Sequence, residues 1–307
     1  MSQIKVSTII PTYRRSEDVA RAVDSVLAQS LSDIEVIVVD DNGVGTPDGE
    51  KTAQVMARYA QDPRVLYLRH EENQNGAAAR NTGIQAARGQ YVAFLDDDDV
   101  FCPTRLEKMS AALDALDDSY GACYSGYVKH MPDGTDQFSA ERAEGDVFVQ
   151  VLMRSLYIGT GSNLFFRRSA MEDIGLFDVS FRRNQDLEYL LRITSKYKMA
   201  YVDEVLMEAF YDIRTAHMSF AQSVERERMF REKFAHYLTQ LSDLRRREVL
   251  MMYELDWIRF CVGRKKFWQA LKTAFRAHIP LRVFRAYLRY AADRRKNHLC
   301  YGFVVKL

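Results

Sequence analysis

Residues 89–103, GQYVAFLDDDDVFCP, join a short apolar run to four consecutive aspartates. The apolar part, residues 91–95, contains strand formers and no charge, which predicts a buried central strand of a parallel sheet. The aspartates, residues 96–99, then lie at the carboxyl end of that strand, where open α/β sheets bind ligands. Because adjacent carboxylates repel one another, a hard divalent cation with oxygen ligands would stabilise them. The alternative is a solvated acidic loop, the usual interpretation of a charge run.

The composition is that of a globular chain. Its 307 residues are 47% hydrophobic, enough to bury one large core or two smaller ones. No window approaches about 18 apolar residues, and the N-terminal MSQIKVSTII leads into a strand without a signal-peptide profile. The four cysteines lack CxxC spacing, which argues against a zinc site or a disulfide framework. We therefore expect a cytoplasmic protein that does not span the membrane.

Charge is distributed unevenly along the chain. Residues 1–219 carry 23 Lys and Arg against 34 Asp and Glu, whereas residues 220–307 carry 20 against 8. The net charge of +1 therefore combines an acidic body of −11 with a basic tail of +12. Such a tail predicts an anionic partner.

Strand and helix patterns alternate through the first third of the chain. Residues 5–11 and 34–39 are rich in β-branched residues, which predicts two strands, and Asp40 and Asp41 follow the second. This alternation with short links predicts a parallel sheet with right-handed crossovers. Residues 72–79, ENQNGAAA, then open a helix that carries Arg80, a combination that suits a phosphate but is equally explained by helix–sheet packing. Neither GxGxxG nor GxxxxGK[ST] occurs, so a Rossmann dinucleotide site and a P-loop are not supported.

Four motifs occur in a fixed order: VSTIIPTY at 6–13, VVDD at 38–41, NGAAARNTG at 75–83 and FLDDDD at 94–99. The set resembles the family 2 inverting glycosyltransferases of the GT-A fold, of the type that builds bacterial surface polysaccharides. The resemblance implies an α/β, Rossmann-like domain with a mostly parallel central sheet flanked by helices. This domain would cover residues 1–219, with a nucleotide-binding half at 1–119 and an acceptor-binding half at 120–219. A basic, α-helical C-terminal extension would cover residues 220–307.

The same resemblance assigns a donor site and a metal site. The implied donor-binding residues are Pro11, Tyr13, Asp41, Arg80, Asp96 and Asp97. The implied metal ligands, for Mn²⁺ or Mg²⁺, are Asp98 and His217. Because Asp97 replaces the usual small residue of the D-x-D element and Asp99 follows, the direct ligands within the run stay open. A lone histidine such as His217 is also commonly a structural residue.

Asp186 is the carboxylate that the resemblance implies as the catalytic base. The family pattern is an acidic pair, and here Gln185 replaces its first member. Glu188 is the nearby alternative base, and a helix cap is the alternative role for Asp186. The implied acceptor-side residues are Gly161, Ser162 and Asn163, for which an ordinary polar loop is the alternative.

After residue 220 the apolar residues follow helical spacing, and aromatic residues alternate with Arg and Lys. One interpretation is a helical cap whose aromatics form its core, and another is a surface that docks on anionic lipid. No nucleic-acid module is recognised, so we expect no nucleic-acid partner. The competing explanation of the charge is packing on the acidic body of the same or a neighbouring subunit, which would make a homo-oligomer.

The sequence thus predicts a metal-dependent hexosyltransferase. It would move a sugar from a nucleotide-sugar donor, UDP-linked, to a hydroxyl of a saccharide or lipid-linked saccharide, with inversion, in surface polysaccharide biosynthesis. Its expected location is the cytoplasm, as a peripheral protein on the inner face of the cell membrane. The alternatives are a sugar nucleotidyltransferase, whose glycine-rich basic N-terminal loop is absent, and a noncatalytic saccharide- or membrane-binding module, which has no use for both the aspartate run and Asp186.

Overall fold

The computed structural model describes residues 4–211 and 219–307. The chain divides into two compact units, the first made of Met1–Phe148 with Tyr157–Tyr211 and the second of Val149–Leu156 with Asp212–Leu307. The predicted boundary at residue 219 is close to this division. Residues 149–156, inside the predicted acceptor half, group with the C-terminal region, and no sequence pattern indicates this. The functional assignment of the halves stays a prediction.

The first unit alternates strands with helices. Its strands are β1 (Val6–Thr12), β2 (Ile34–Asp40), β3 (Val65–Arg69), β4 (Tyr91–Phe94), β5 (Val100–Phe101), β6 (Tyr120–His130), β7 (Asp136–Ser139), β8 (Phe165–Arg167) and β9 (Lys198–Phe210). The helices up to residue 194 are α1 (Val19–Leu27), α2 (Pro47–Met56), α3 (Gly76–Ala86), α4 (Arg105–Asp114), α5 (Phe148–Leu152), α6 (Arg168–Ile174) and α7 (Gln185–Thr194). A 3₁₀ turn covers Gly161–Asn163.

The sheet of this unit runs in the order β7-β6-β8-β4-β1-β2-β3. β4, β1, β2 and β3 are parallel. β8 is antiparallel to both β4 and β6, whereas β9 runs parallel to β6 and pairs with β5. The parallel half of the sheet and the mixed half beside it confirm the predicted α/β class.

The central strands are rich in β-branched and other apolar residues, and they are buried. Every residue of β2 and β4 is buried, and so are all residues of β1 except Pro11. The parallel register sets Thr12 of β1 beside Asp40 of β2. Since the carboxyl ends of β1, β2 and β4 reach the same edge, the polar residues that follow them share one site.

The second unit is helical, as the sequence predicts. Its helices are α8 (Phe220–Lys233), α9 (Ala235–Thr239), α10 (Asp243–Gly263), α11 (Phe267–Ala277) and α12 (Leu281–Asn297). Arg154 ties residues 149–156 to this unit, because its guanidinium lies over the rings of Phe230 and Tyr253 and forms an ion pair with Glu227 at 2.6 Å. Within the described residues, no helix combines the length and the apolarity needed to cross a membrane.

We predict that Gly83→Ala destabilises the fold. A Cβ at Gly83, on α3, would lie 2.4 Å from Cγ2 of the fully buried Ile9 on β1. Overpacking of this kind costs about 1–3 kcal/mol, and chemical denaturation measures the loss. Gly263→Ala is the matched control, because Gly263 is also helical and has no atom within 4 Å of the new Cβ. A Gly83→Ala protein as stable as the Gly263→Ala protein would show that α3 and β1 do not pack this closely.

Candidate active site

The aspartate run alternates in exposure along its length. Asp97 and Asp99 are buried, whereas Asp96 and Asp98 are partly open. The run forms a turn closed by a hydrogen bond from the Asp99 backbone N–H to the Asp96 carbonyl at 3.0 Å, and this turn presents one pair of carboxylates outward and one inward. Asp96 and Asp98 are therefore the members of the run that a ligand reaches most easily.

Asp97 is held by the end of β1. Its Oδ2 accepts a hydrogen bond from the Thr12 hydroxyl at 2.7 Å and a longer one from the Tyr13 backbone N–H at 3.4 Å. Burial raises the pKa of Asp97 to about 8, and the neighbouring Asp98 and Asp96 carboxylates add to this rise. The side chain thus anchors the aspartate loop to the strand from which Pro11 and Tyr13 extend.

Asp99 is held by the turn at residues 160–163. Its Oδ2 accepts from the Ser162 hydroxyl at 2.6 Å and from the Thr160 hydroxyl at 3.1 Å. Its Oδ1 accepts from the Phe210 backbone N–H at 3.1 Å. Burial, followed by repulsion from Asp96 and Asp98, raises the pKa of Asp99 to about 7. Ser162 serves the run twice, because its hydroxyl oxygen also accepts from the Asp96 backbone N–H at 2.9 Å.

The two outward carboxylates each meet an arginine. Arg80 donates to Asp96 Oδ1 at 2.6 Å. Asp98 forms an ion pair with Arg15. The pKa of the Asp98 carboxyl is nonetheless raised, mainly by burial and then by repulsion from Asp96. Arg15 also lies 3.6 Å from Asp97. Sequence reasoning missed Arg15, although its place just after the first strand was the available signal.

Arg80 links the aspartate run to the start of α7. Besides Asp96, its guanidinium donates to Gln185 Oε1 at 3.0 Å. Asp186 is the next residue, half-buried in the first turn of α7, which follows Asn184 in a left-handed conformation (φ 57°). A Cβ built on Gly161 would lie 3.5 Å from the Asp186 Cβ, so this turn lies directly against the predicted base.

Burial raises the pKa of Asp186, while the Leu187 backbone N–H and the Arg80 guanidinium act in the opposite direction. The carboxyl is therefore more basic than a solvated aspartate and keeps a cation nearby that favours its ionised form. Glu188, the alternative base, is buried and bound by both arms of Arg192, with Nε–Oε1 at 2.8 Å and Nη2–Oε2 at 2.9 Å. Of these two acids of α7, only Asp186 faces the aspartate run.

Asp41 is buried and accepts four hydrogen bonds from the segment that precedes α3. The groups that bind its two carboxylate oxygens are the His70 ring Nδ1 (2.7 Å), the Asn73 side-chain amide (2.7 Å), the Gln74 backbone N–H (2.8 Å) and the Asn75 backbone N–H (2.9 Å). Asp41 thus shapes the loop at the start of α3. Sequence reasoning missed His70, because it belongs to no recognised motif and only the fold brings its ring to Asp41.

The other predicted donor residues lie at the end of β1. Pro11 is half-buried and is paired in register with Val39 of β2. Tyr13 is 41% exposed, and Arg14 lies over its ring with its guanidinium carbon 4.9 Å from the centroid. An exposed ring at a strand end leaves one aromatic face available to a base.

The predicted acceptor-side residues point in different directions. Ser162 and Asn163 are fully buried, and the Asn163 amide donates to the carbonyls of Ser125 (2.8 Å) and Ile158 (2.9 Å). Arg105, which sequence reasoning also missed, lies fully buried beneath the turn and donates to the Ser162 carbonyl at 3.3 Å. Burial lowers the pKa of Arg105 to about 10. Only Gly161 of the three predicted residues lies against Asp186.

His217 lies outside the described residues. Within residues 4–211 and 219–307, no group of three or more His, Cys, Asp or Glu side chains is arranged as a metal-binding cluster.

The comparison with known families decides the assignment. The profile described as Glycosyl transferase family 2 matches residues 7–175, more than half of the chain. The chain belongs to this family. An uncharacterized glycosyltransferase of Rickettsia typhi is 31% identical over 239 residues, covering 73% of this chain and 70% of the relative. Another, from Rickettsia felis, is 26% identical over 244 residues, and the match spans only 39% of that longer protein.

Solved structures agree with the family 2 assignment at the level of the fold. S. aureus TarS 1–349 in complex with UDP-GlcNAc superposes with a TM-score of 0.63 at 18% identity, covering 81% of this chain and 71% of that one. A mannosyltransferase from Pyrobaculum calidifontis, in complex with GDP-Man and Mn²⁺, superposes with a TM-score of 0.52 at 18% identity, covering 94% and 80%. The predicted GT-A fold and the identification of the chain as a glycosyltransferase are confirmed.

We predict that Ser162→Ala destabilises the protein by about 1–3 kcal/mol, because it leaves the buried Asp99 carboxylate and the Asp96 N–H each short of a hydrogen bond. Chemical denaturation measures the change in the free energy of unfolding. Ser110→Ala is the matched control, since the buried Ser110 hydroxyl donates to Glu107, one turn back on its own helix. Equal stability of the two variants would contradict the role of Ser162 as a support of the run.

Proposed function

We propose that this family 2 glycosyltransferase is metal-dependent and inverting. It moves a sugar from a UDP-linked donor to a hydroxyl of a saccharide or lipid-linked saccharide acceptor in surface polysaccharide synthesis. The observation that carries the proposal is the convergence of Arg80, Asp96 and Asp186 at the carboxyl edge of the parallel strands. The nucleotide sugars bound to TarS and to the mannosyltransferase support a donor of this chemical class.

The donor would lie across the ends of β1 and β2 and the start of α3. Pro11 and Tyr13 offer an apolar and aromatic surface for the base, and Asp41 holds the loop behind it. α3 begins at Gly76, and a helix start beside the Arg80 guanidinium attracts a diphosphate. Its hydrogen bonds to Asp96 and Gln185 keep that guanidinium in one orientation.

A divalent cation fits the aspartate run by its donor chemistry. The pKa values of Asp97, Asp98 and Asp99 are all raised, in part by repulsion between the carboxylates, and a hard cation relieves such repulsion. Asp98 would hold the ion and Asp96 would face the donor, because these two carboxylates are the ones open to solvent. His217 stays the predicted second ligand. When bound, Mn²⁺ or Mg²⁺ offsets the negative charge on the leaving diphosphate.

Asp186 would act as the base. Its carboxylate accepts the proton of the acceptor hydroxyl while that oxygen attacks the anomeric carbon from the side opposite the leaving diphosphate, which inverts the configuration. Gly161 leaves room for the acceptor beside Asp186, since it has no side chain to fill that space. Arg80 would stabilise the departing phosphate and, before the reaction, the ionised form of Asp186.

The positive charge of the second unit is the reason why the proposed acceptors include lipid-linked saccharides. Its helices carry the basic surplus of residues 220–307, which suits peripheral association with an anionic membrane. Such association would bring the enzyme to an acceptor that cannot leave the lipid phase.

We predict that Asp186→Asn lowers turnover by at least about 10²-fold, the scale of a lost general base, while donor binding is retained. Release of UDP from the donor in the presence of acceptor measures turnover, and a thermal-shift titration measures binding. In the wild type, the rate should fall at acid pH as Asp186 is protonated. Because its pKa is raised, this fall should begin at a higher pH than for an ordinary aspartate.

Glu188→Gln is the control for that experiment. It removes a carboxylate of the same helix that is paired with Arg192, so it should lower stability and leave the acid limb of the pH–rate profile in place. Near-normal turnover of Asp186→Asn would exclude Asp186 as the base.

We predict that Asp98→Ala abolishes turnover and the thermal stabilisation that UDP produces with Mn²⁺, because Asp97 and Asp99 hold the loop and Asp96 faces the donor, so none of them replaces Asp98 at the ion. For the wild type, a nucleotide at a hundred times its dissociation constant should stabilise by about 2.7 kcal/mol. Asp173→Ala is the control, since Asp173 is a surface partner of Lys196 at 3.0 Å. Full turnover of the wild type in excess chelator would overturn the metal requirement.

A further inference from the structure

α11 turns its bulky apolar side chains outward and its small side chains inward. Ala270 and Thr273 are buried, and Ala270 packs in a cluster with Ile258 and Cys261. The outward residues, here called the α11 outer face, are Phe267, Trp268, Leu271 and Phe275, which are 63%, 75%, 62% and 83% exposed. Folding of the second unit does not account for them, because the apolar packing of α11 uses the opposite side.

The α11 outer face forms one continuous stripe. Phe267, Leu271 and Phe275 are four residues apart and stack along one side of the helix, and Trp268 lies three residues before Leu271 on the same side. Contiguous exposed apolar side chains of this kind mark an interaction surface, whereas single ones need no explanation.

The charge around the stripe indicates the kind of partner. Residues 257–292 contain nine Lys and Arg and no Asp or Glu. Lys272 and Arg276 lie on α11 next to the stripe, and both are exposed. Three further exposed basic residues precede the helix: Arg264, Lys265 and Lys266. An apolar strip bordered by cations is the pattern of a helix that lies in the interface of an anionic bilayer.

We propose that the α11 outer face is a docking surface for an anionic lipid bilayer. The four side chains would enter the boundary between headgroups and acyl chains, with Trp268 at headgroup depth, while the neighbouring Lys and Arg contact lipid phosphates. A second copy of the chain is a poorer occupant, because pairing two such faces would bring their cations together. The inference deepens the proposed function by naming the surface that would deliver the enzyme to a lipid-linked acceptor.

The first test uses the natural fluorophores of the full chain. The protein has two tryptophans. Trp257 packs against both Phe220 and Phe260, so Trp257→Phe is a conservative change that leaves Trp268 as the sole reporter. Vesicles of phosphatidylcholine with and without phosphatidylglycerol are added, and brominated lipids report depth by quenching. We expect a blue shift and quenching only with phosphatidylglycerol, both weakened by salt.

The second test measures partition to the same vesicles by co-sedimentation. Phe275→Ser should weaken partition about tenfold or more, since one buried aromatic ring is lost. Lys272→Gln and Arg276→Gln should each weaken it about fivefold, the equivalent of about 1 kcal/mol per charge. Phe138→Ser and Arg142→Gln are matched controls in the first unit, where Phe138 is 46% exposed and Arg142 pairs with Asp203 at the surface, and both should partition like the wild type.

Three outcomes would overturn the proposal: no binding to either vesicle, equal binding to neutral and anionic vesicles, or binding that Phe275→Ser does not weaken. Self-association in the absence of lipid that Phe275→Ser abolishes would assign the face to a second copy and would also overturn it. UDP release by Phe275→Ser with a water-soluble acceptor should equal that of the wild type. Loss of vesicle binding with normal release therefore concerns the surface alone, whereas absent release in the wild type concerns the proposed chemistry.

Discussion

The repulsion among four adjacent carboxylates is the constraint on which the rest of the active site depends. Residues 96–99 form a turn shortly after a buried strand, and two of the four carboxylates lie inside the protein. Inward carboxylates are tolerated only where hydrogen-bond donors meet them, and the fold supplies these from three directions. They are the Thr12 hydroxyl, the hydroxyls of the 160–163 turn and the Phe210 backbone N–H. Sequence positions more than a hundred residues apart are thereby fixed around one loop.

This arrangement couples the donor side of the site to the acceptor side. Ser162 binds both the Asp99 carboxylate and the Asp96 N–H, and the adjacent Gly161 lies against Asp186. Arg80 makes a second connection, from Asp96 to the first residue of α7. A displacement of the aspartate loop would therefore move the predicted base as well, so the proposed metal binding and the proposed proton transfer would depend on the same set of hydrogen bonds.

The parts of this site that local patterns specify could be predicted from the sequence. A continuous apolar run gave β4, turn residues and helical spacing gave α3, and the family motif gave Asp186 its position. The alternation of exposure within residues 96–99 could not be predicted from strand geometry, because these residues form a turn closed between the Asp99 N–H and the Asp96 carbonyl. His70 and Arg105 could not be found in this way, because their roles arise from contacts with residues distant in sequence, whereas Arg15 had one sequence signal, its place just after the first strand. The inward orientation of Ser162 and Asn163 was hidden for the same reason, since a polar loop and a buried polar support have the same composition.

The amide at Gln185 is explained by the charge balance of the site. The family pattern has a small residue inside the D-x-D element and an acid at the position before the base, whereas this chain has Asp97 and Gln185. The Gln185 oxygen accepts the Arg80 hydrogen bond that a carboxylate would otherwise take. An acid there would add a further negative charge beside Asp96 and Asp186, whose charges already influence each other. The neutral side chain keeps the guanidinium in place and leaves its full charge to the outward aspartate, the predicted base and the proposed diphosphate. An extra carboxylate in the run is thus matched by one fewer at the start of α7.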